Sequence, residues 1–212
     1  MITIRLFSFN PFQENTFVVH DETLECVIID PGCYTEREKE DLAEYIAANN
    51  LRPVYLLNTH CHIDHILGNA FVAEKYGLVA CCHRSDIPLL QGADDQGMLF
   101  GLRITRPPSA VQFLSDGDVV RFGHTTLRII HLPGHSEGSI AFFFPDDHCI
   151  FVGDVLFLGG IGRTDLPGGN YRVLIDSIME KLIPLGDDII VYPGHGPETT
   201  LGYERLNNPF LT

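Results

Sequence analysis

The sequence has little of what a membrane protein or a nucleic-acid binder needs. No apolar run approaches the roughly 20 residues that span a bilayer. The amino terminus, Met1-Ile2-Thr3-Ile4-Arg5-Leu6-Phe7, alternates apolar and polar residues before Asn10-Pro11. It lacks the unbroken apolar block of a signal peptide and reads as a first strand. Cations are scarce: 14 Lys and Arg against 28 Asp and Glu leave a formal charge of -14. That balance opposes binding to a polyanion, whose counterions are displaced by clustered Lys and Arg. The six cysteines (Cys26, Cys33, Cys61, Cys81, Cys82, Cys149) include no CxxC pair, and two are adjacent. Such spacing suits no simple disulfide framework, so reduced thiols in a cytoplasmic protein are expected. No linker or low-complexity stretch divides the chain, and 212 residues with 45% hydrophobic content fit one domain, 1–212.

What is present is a repeating series of strands and helices. Thr16-Phe17-Val18-Val19 and Cys26-Val27-Ile28-Ile29 flank a turn at His20-Asp21-Glu22 and predict a hairpin. Thr35 with Glu38 three residues on predicts a capped helix from about Glu36 to Asn49. A buried strand follows at Val54–Leu57, then a helix closing near Gly77, a strand at Leu78–Cys81 and a helical Ser85–Gln91. The Gly- and Pro-rich span from Gly92 to Ser109 carries no clear pattern. Beyond it, strands are expected at Asp118–Phe122, Thr125–Leu132, Ile140–Phe144 and Cys149–Val152. Asn170 caps a helix bearing Val173, Leu174, Ile178 and Leu182, and a last strand is expected at Ile189–Tyr192. Two packed sheets covered by helices result, a layered α/β sandwich with its chemistry along one rim.

Five of the ten histidines share a context. His60, His62, His65, His135 and His195 each lie just past an apolar strand run and beside Gly, Thr or Asp. The others (His20, His83, His124, His131, His148) do not cluster and read as structural or exposed, with His20, His124 and His148 in turns. In His60-Cys61-His62-Ile63-Asp64-His65, the imidazoles of His60 and His62 can reach one cation, and Asp64 and His65, beyond a bend, a second. The turns Pro133-Gly134-His135 and Pro193-Gly194-His195 each deliver one more imidazole, and Gly153-Asp154 a carboxylate between the cations. Imidazole and carboxylate donors suit two divalent ions, zinc, iron or manganese, about 3.5–4 Å apart.

Taken together, Thr59-His60-Cys61-His62-Ile63-Asp64-His65, Pro133-Gly134-His135-Ser136, Gly153-Asp154 and Gly194-His195-Gly196 resemble the metallo-β-lactamase superfamily. An aspartate at 154, where the zinc β-lactamases proper carry cysteine, is similar to the glyoxalase II group. The tail from Gly194-His195-Gly196-Pro197 to Asn208-Pro209-Phe210 resembles its short bacterial type. The resemblance implies a four-layer αββα fold. It also implies a first metal on His60, His62 and His135, a second on Asp64, His65 and His195, and Asp154 bridging them. The implied reaction is hydrolysis of a thioester such as S-lactoylglutathione to a 2-hydroxy acid and a thiol by a metal-bridging hydroxide that Asp64 helps orient. Zinc is the first expectation for the metals.

The resemblance is incomplete on the substrate side. Longer relatives carry a C-terminal helical domain that completes the glutathione site, and this sequence is expected to lack it. Arg163 stands where the family has a glutathione-contacting basic residue, with Tyr171 a further candidate contact. Pro197 stands where the longer enzymes place a glutathione-contacting tyrosine. Arg163 can alternatively pin its own loop by pairing with Asp165. The main rival is an iron-dependent persulfide dioxygenase, which the Gly162-Arg163-Thr164-Asp165 loop also resembles. A phosphodiester nuclease is disfavoured by the acidic balance, a non-catalytic metal module by the complete ligand set, and a flavin-linked oxygen reductase by the absence of a redox domain.

Overall fold

In a computed structural model, which describes residues 1–109 and 111–212, the period-two segments at the amino terminus form an antiparallel meander. Its strands are β1 (Thr3–Phe9), β2 (Glu14–His20) and β3 (Glu25–Ile29). Phe17, Val19, Val27 and Ile29 bury one face while Val18, Cys26 and Ile28 bury the other, as a sheet covered on both sides requires. The expected capping box opens α1 (Glu36–Ala48): Thr35 Oγ1 accepts from the Glu38 N–H, and the Glu38 carboxylate accepts from the Thr35 N–H. Then come β4 (Arg52–Leu57), α2 (Ile63–Ile66), α3 (Asn69–Tyr76), β5 (Ala80–Cys82), α4 (Ile87–Gln91), α5 (Ala93–Leu99) and β6 (Val111–Phe113). Strands β3 to β6 are parallel, so the first sheet runs β1-β2-β3-β4-β5-β6.

The second sheet repeats the plan. Strands β7 (Val119–Phe122), β8 (Thr125–His131), β9 (Ile140–Phe144) and β10 (Cys149–Gly153) form a meander. A small hairpin, β11 (Leu156–Phe157) with β12 (Gly160–Ile161), precedes α6 (Tyr171–Ser177). Strand β13 (Ile190–Pro193) lies parallel to β10 and is edged by β14 (Thr199–Thr200), before α7 (Leu201–Asn207).

The sheets pack face to face over Phe17, Ile29, Leu57, Phe142, Phe144 and Phe151, with the Phe17 and Phe151 rings 4.9 Å apart. Leu42 and Ile46 of α1 and Val72 of α3 cover the outer face of the first sheet, and Leu174 of α6 with Ile178 and Leu182 covers the second. The result is the four-layer αββα sandwich. Among the described residues no helix is long and apolar enough to cross a membrane.

Local expectations needed correction. Strand β5 starts at Ala80 rather than Leu78, with Val79 left exposed. The patternless span after Gly92 contains α5, whose Gly97 lets Ile104 pack against its backbone. The chain continues past the expected last strand because Val191 and Ile190 pair with β14 and Thr200 caps α7 through the Tyr203 N–H. His20 ends β2 instead of lying in the turn, within 3.4 Å of the Tyr45 hydroxyl.

Candidate metal centre

The ends of β4, β10 and β13 and the turn after β8 gather at one rim of the sandwich. His60 follows β4, and His62 immediately precedes α2. Asp64 and His65 lie on a helical turn, not in the loop expected from the sequence. Ile63 and Ile66 bury into a small core with Cys61, Leu67 and Leu90, and this packing closes a helix too short to persist alone. Gly153, at φ +54°, and Gly194 carry the later ligands, and both positions need glycine. A Cβ on Gly153 would collide with Thr59, and one on Gly194 with Asp154 Oδ1 and, at 2.6 Å, with the His65 ring.

Three histidine nitrogens converge first. His62 Nδ1 lies 2.9 Å from His135 Nε2, which lies 3.2 Å from His60 Nε2. The outer nitrogens of His135 and His60 fix the tautomers of those two rings. His135 Nδ1 donates to the Arg163 carbonyl (2.8 Å), and His60 Nδ1 to Thr59 Oγ1 (3.1 Å), whose hydroxyl is used on Asp30 (2.5 Å). His60 and His135 therefore turn lone pairs toward each other, an arrangement that a shared cation makes favourable. Metal–nitrogen bonds of about 2.0–2.1 Å in a tetrahedron set nitrogens roughly 3.3 Å apart, close to what is seen.

Asp64, His65 and His195 form the second cluster. His195 Nδ1 donates to the Phe12 carbonyl (3.1 Å) and His65 Nδ1 to Asp30 Oδ2 (3.1 Å), so both Nε2 lone pairs face inward. His195 Nε2 is 3.1 Å and His65 Nε2 3.7 Å from Asp64 Oδ2. Asp154 sits between the clusters, 3.4 Å from His65 Nε2, 3.6 Å from His195 Nε2 and 3.7 Å from His135 Nε2. The buried His65 Nε2 and Asp154 Oδ1 have no hydrogen-bond partner, which natural interiors rarely tolerate. Donor chemistry, tautomers and orphaned atoms all fit two divalent ions.

Electrostatics point the same way. Burial, reinforced by the surrounding imidazoles, holds the His60 pKa well below its ordinary value, and burial with His135 brings His62 down to about 4, so both rings are neutral donors. Burial also pushes against charge on Asp64 and Asp154, but His65 and the other facing imidazoles hold both carboxylates below their usual range. His65 is opposed by burial, yet Asp64 and Asp154 raise it strongly; the same negative field attracts a cation.

Three supporting carboxylates escaped the sequence reading. Asp30 accepts from Thr59 N–H, Thr59 Oγ1 and His65 Nδ1, so it orients donors of both clusters. Asp86, fully buried, accepts from the N–H groups of Cys61 (2.9 Å) and Gly138 (2.7 Å) and from Ser136 Oγ (3.0 Å). It thus staples the His60–His62 segment to the His135 turn. Glu14, also fully buried, lies 3.9 Å from His65 Nδ1, and burial raises its pKa well above the ordinary value. Asp30 alone carried a sequence signal: Ile28-Ile29-Asp30-Pro31-Gly32 is a strand running into a polar turn, like the ligand segments.

The centre floors a cleft of about 880 Å³ between α5 and the β11–β12 hairpin. Arg163 lines it, but its guanidinium is held bidentately by Asp165 (2.8 and 2.7 Å), the loop-pinning alternative. Tyr171 begins α6, exposed and outside the cleft lining, so the structure does not bring that candidate to the site.

Comparison with known proteins matches residues 9–195 to the family model described as the metallo-beta-lactamase superfamily. Hydroxyacylglutathione hydrolase GloC of Haemophilus influenzae is 38% identical over 99% of this chain and 98% of its own length. Human mitochondrial persulfide dioxygenase ETHE1 is 35% identical over 93% of this chain and 71% of its own. The crystal structure of BLEG-1 B3 metallo-beta-lactamase superposes with a TM-score of 0.91 at 35% identity, covering 99% of this chain and 100% of that one. The structure of TTHA1623 in a di-iron-bound form gives 0.88 at 39%, covering 98% and 100%.

Proposed function

The chain belongs to the metallo-beta-lactamase superfamily, and from that premise we propose that it is a thioester hydrolase of the glyoxalase II type. Its substrate would be a thioester such as S-lactoylglutathione, cleaved to a 2-hydroxy acid and a free thiol. The observation that carries this reading is the pair of ligand clusters sharing Asp154 at the floor of an open cleft. Two divalent cations held by His60, His62 and His135 and by Asp64, His65 and His195 would supply a water of lowered pKa and polarise a carbonyl. We propose zinc; the di-iron form of TTHA1623 makes metal identity a quantity to measure.

The chain's own residues supply the remainder. Asp64 lines the cleft, so a carboxylate oxygen can accept a hydrogen bond from an attacking water and orient it. Cys61, between His60 and His62, does not compete as a nucleophile. Cys61 is fully buried, and the adjoining Cys82 thiol together with that burial holds its own thiol well above the ordinary range. A leaving thiolate with an intrinsic pKa of about 8.5 departs without a dedicated acid. Six buried, free cysteines suit a reducing cytoplasm, where we place the protein.

Persulfide oxidation is the second reading, supported by the identity with human ETHE1. A second complete cluster around His195 supports hydrolysis over a reaction that needs one iron with open positions. The test assays protein of measured metal content with S-lactoylglutathione, a β-lactam, and glutathione persulfide in an oxygen electrode. Thiol release from the thioester with no oxygen uptake is expected. Oxygen consumption with persulfide and no thioester cleavage would replace the hydrolase reading with the dioxygenase one.

A further inference from the structure

The walls of the cleft bear on what the substrate is. Phe12, Leu99, Phe100, Phe157, Leu158 and Leu166 make them apolar, and Leu99, Phe100 and Leu158 stand 76%, 45% and 47% exposed at the rim. Phe12 and Phe100 brace each other edge to face at 5.2 Å. Large side chains left in water around a reactive centre are unfavourable unless a ligand covers them.

Polar recognition is correspondingly sparse. Gln96 lines the cleft, but its amide nitrogen donates to the Leu89 carbonyl and its oxygen accepts from the Ile63 N–H. Among the described lining residues, Arg163 is the one cation other than histidine, and Asp165 neutralises it. Asp95 adds a negative charge to the lining, and Pro197 contributes no donor there. The two carboxylates of glutathione find no free cation in these walls, whereas an uncharged hydrocarbon meets a matching surface.

We propose that the cleft selects thioesters by an apolar acyl group, a medium-length aliphatic chain held between α5 and the β11–β12 hairpin, with the thiol carrier contributing little. The proposal rests on the hydrolase reading above and names its substrate class. Small polar acyl groups such as lactoyl leave most of the 880 Å³ cleft to water.

The test uses zinc-loaded protein and thioesters of one uncharged thiol, N-acetylcysteamine, with butanoyl, hexanoyl, octanoyl and lactoyl groups, beside S-lactoylglutathione. Binding of the inert S-butyl and S-octyl thioethers of the same thiol is measured calorimetrically. A buried methylene gains up to about fourfold in affinity, so kcat/KM should rise roughly 100-fold from butanoyl to octanoyl, with a parallel rise in thioether affinity. Phe100→Ser and Leu158→Ser, both at exposed rim positions, should flatten both slopes. A flat or falling series in both measurements, or S-lactoylglutathione preferred tenfold over the octanoyl thioester, would overturn the proposal while leaving the hydrolase reading standing. Thioether affinity that climbs with chain length while no thioester is cleaved would refute the hydrolase reading and leave the apolar preference of the cleft intact.

Discussion

Replacing Asp86 by alanine separates the two halves of the proposed centre. The side chain is fully buried and accepts three hydrogen bonds, two of them from the backbone N–H groups of Cys61 and Gly138. Ser136 Oγ keeps an alternative partner in Ser139 Oγ at 2.8 Å, so the deletion orphans two donors. Each orphan costs about 1–3 kcal/mol, and removing a buried carboxylate, whose pKa burial raises, returns part of that. A net loss of about 2–4 kcal/mol corresponds, at roughly 2–4 °C per kcal/mol for a chain of this size, to a fall in Tm of about 5–15 °C. Cys61 lies between His60 and His62, and Gly138 follows His135 in the same turn, so the three-histidine cluster loses its brace. Its metal affinity should drop about 10–100-fold, as for removal of groups that support ligands. The Asp64–His65–His195 cluster, held by Asp30 and the Phe12 carbonyl, should change much less. Chelator-competition titrations with zinc, run beside thermal melts, resolve the two sites. Asp86→Asn keeps an acceptor for Gly138 and turns an amide against Cys61, so it should fall between wild type and alanine. Equal weakening of both sites, or an unchanged affinity profile in both variants, would refute this reasoning.

The remaining predictions are independent of that brace. Exhaustive chelation should lower Tm, because metal at 1,000 times its Kd stabilises by about 4 kcal/mol; a melting curve unmoved by chelator and by zinc would argue against a folded-state site. His60→Ala with Asp64→Ala removes one donor from each cluster and should abolish thioester turnover; turnover at the wild-type rate would disprove the assignment. Gly194→Ala drives a methyl group into Asp154 and His65, so metal content should fall even where the protein folds, as read by elemental analysis beside circular dichroism. Asp21 provides a pH test away from the site. Burial opposes its charge, but hydrogen bonds from Thr23, His124 and Thr125 bring its pKa down to about 2, below the unfolded value of about 3.9. Its contribution is therefore present above about pH 4 and lost as pH falls through 2. The stability gap between wild type and Asp21→Asn in urea melts should narrow over that window, and a constant gap would contradict the assignment.

The clustering of the candidate ligands was legible in the sequence because their segments begin where apolar strands stop at polar turns, and strand ends on one rim are near neighbours in a sandwich. Residues that hold the ligands were much less so. Asp86 lies in a helical turn between His83 and Ile87 and owes its role to two backbone groups brought near by folding. Glu14 looks like an ordinary residue at the start of β2, and nothing local shows that it is buried behind His65. Helix α5 was hidden because Gly97 lowers its propensity, yet that glycine allows the close approach of Ile104. The β11–β12 hairpin pairs two residues with two, too short for a periodic signal, although it forms one wall of the cleft. Tyr171, a candidate substrate contact in the sequence, begins α6 and lies outside the cleft lining.

The two-cation centre is tested most directly by elemental analysis of protein purified without chelators and without added metal. About two transition-metal ions per chain are expected from two complete ligand clusters that share Asp154, falling to about one in a variant that loses a single cluster. Wild-type protein that is folded, active on thioesters and free of transition metal would contradict the account at its base.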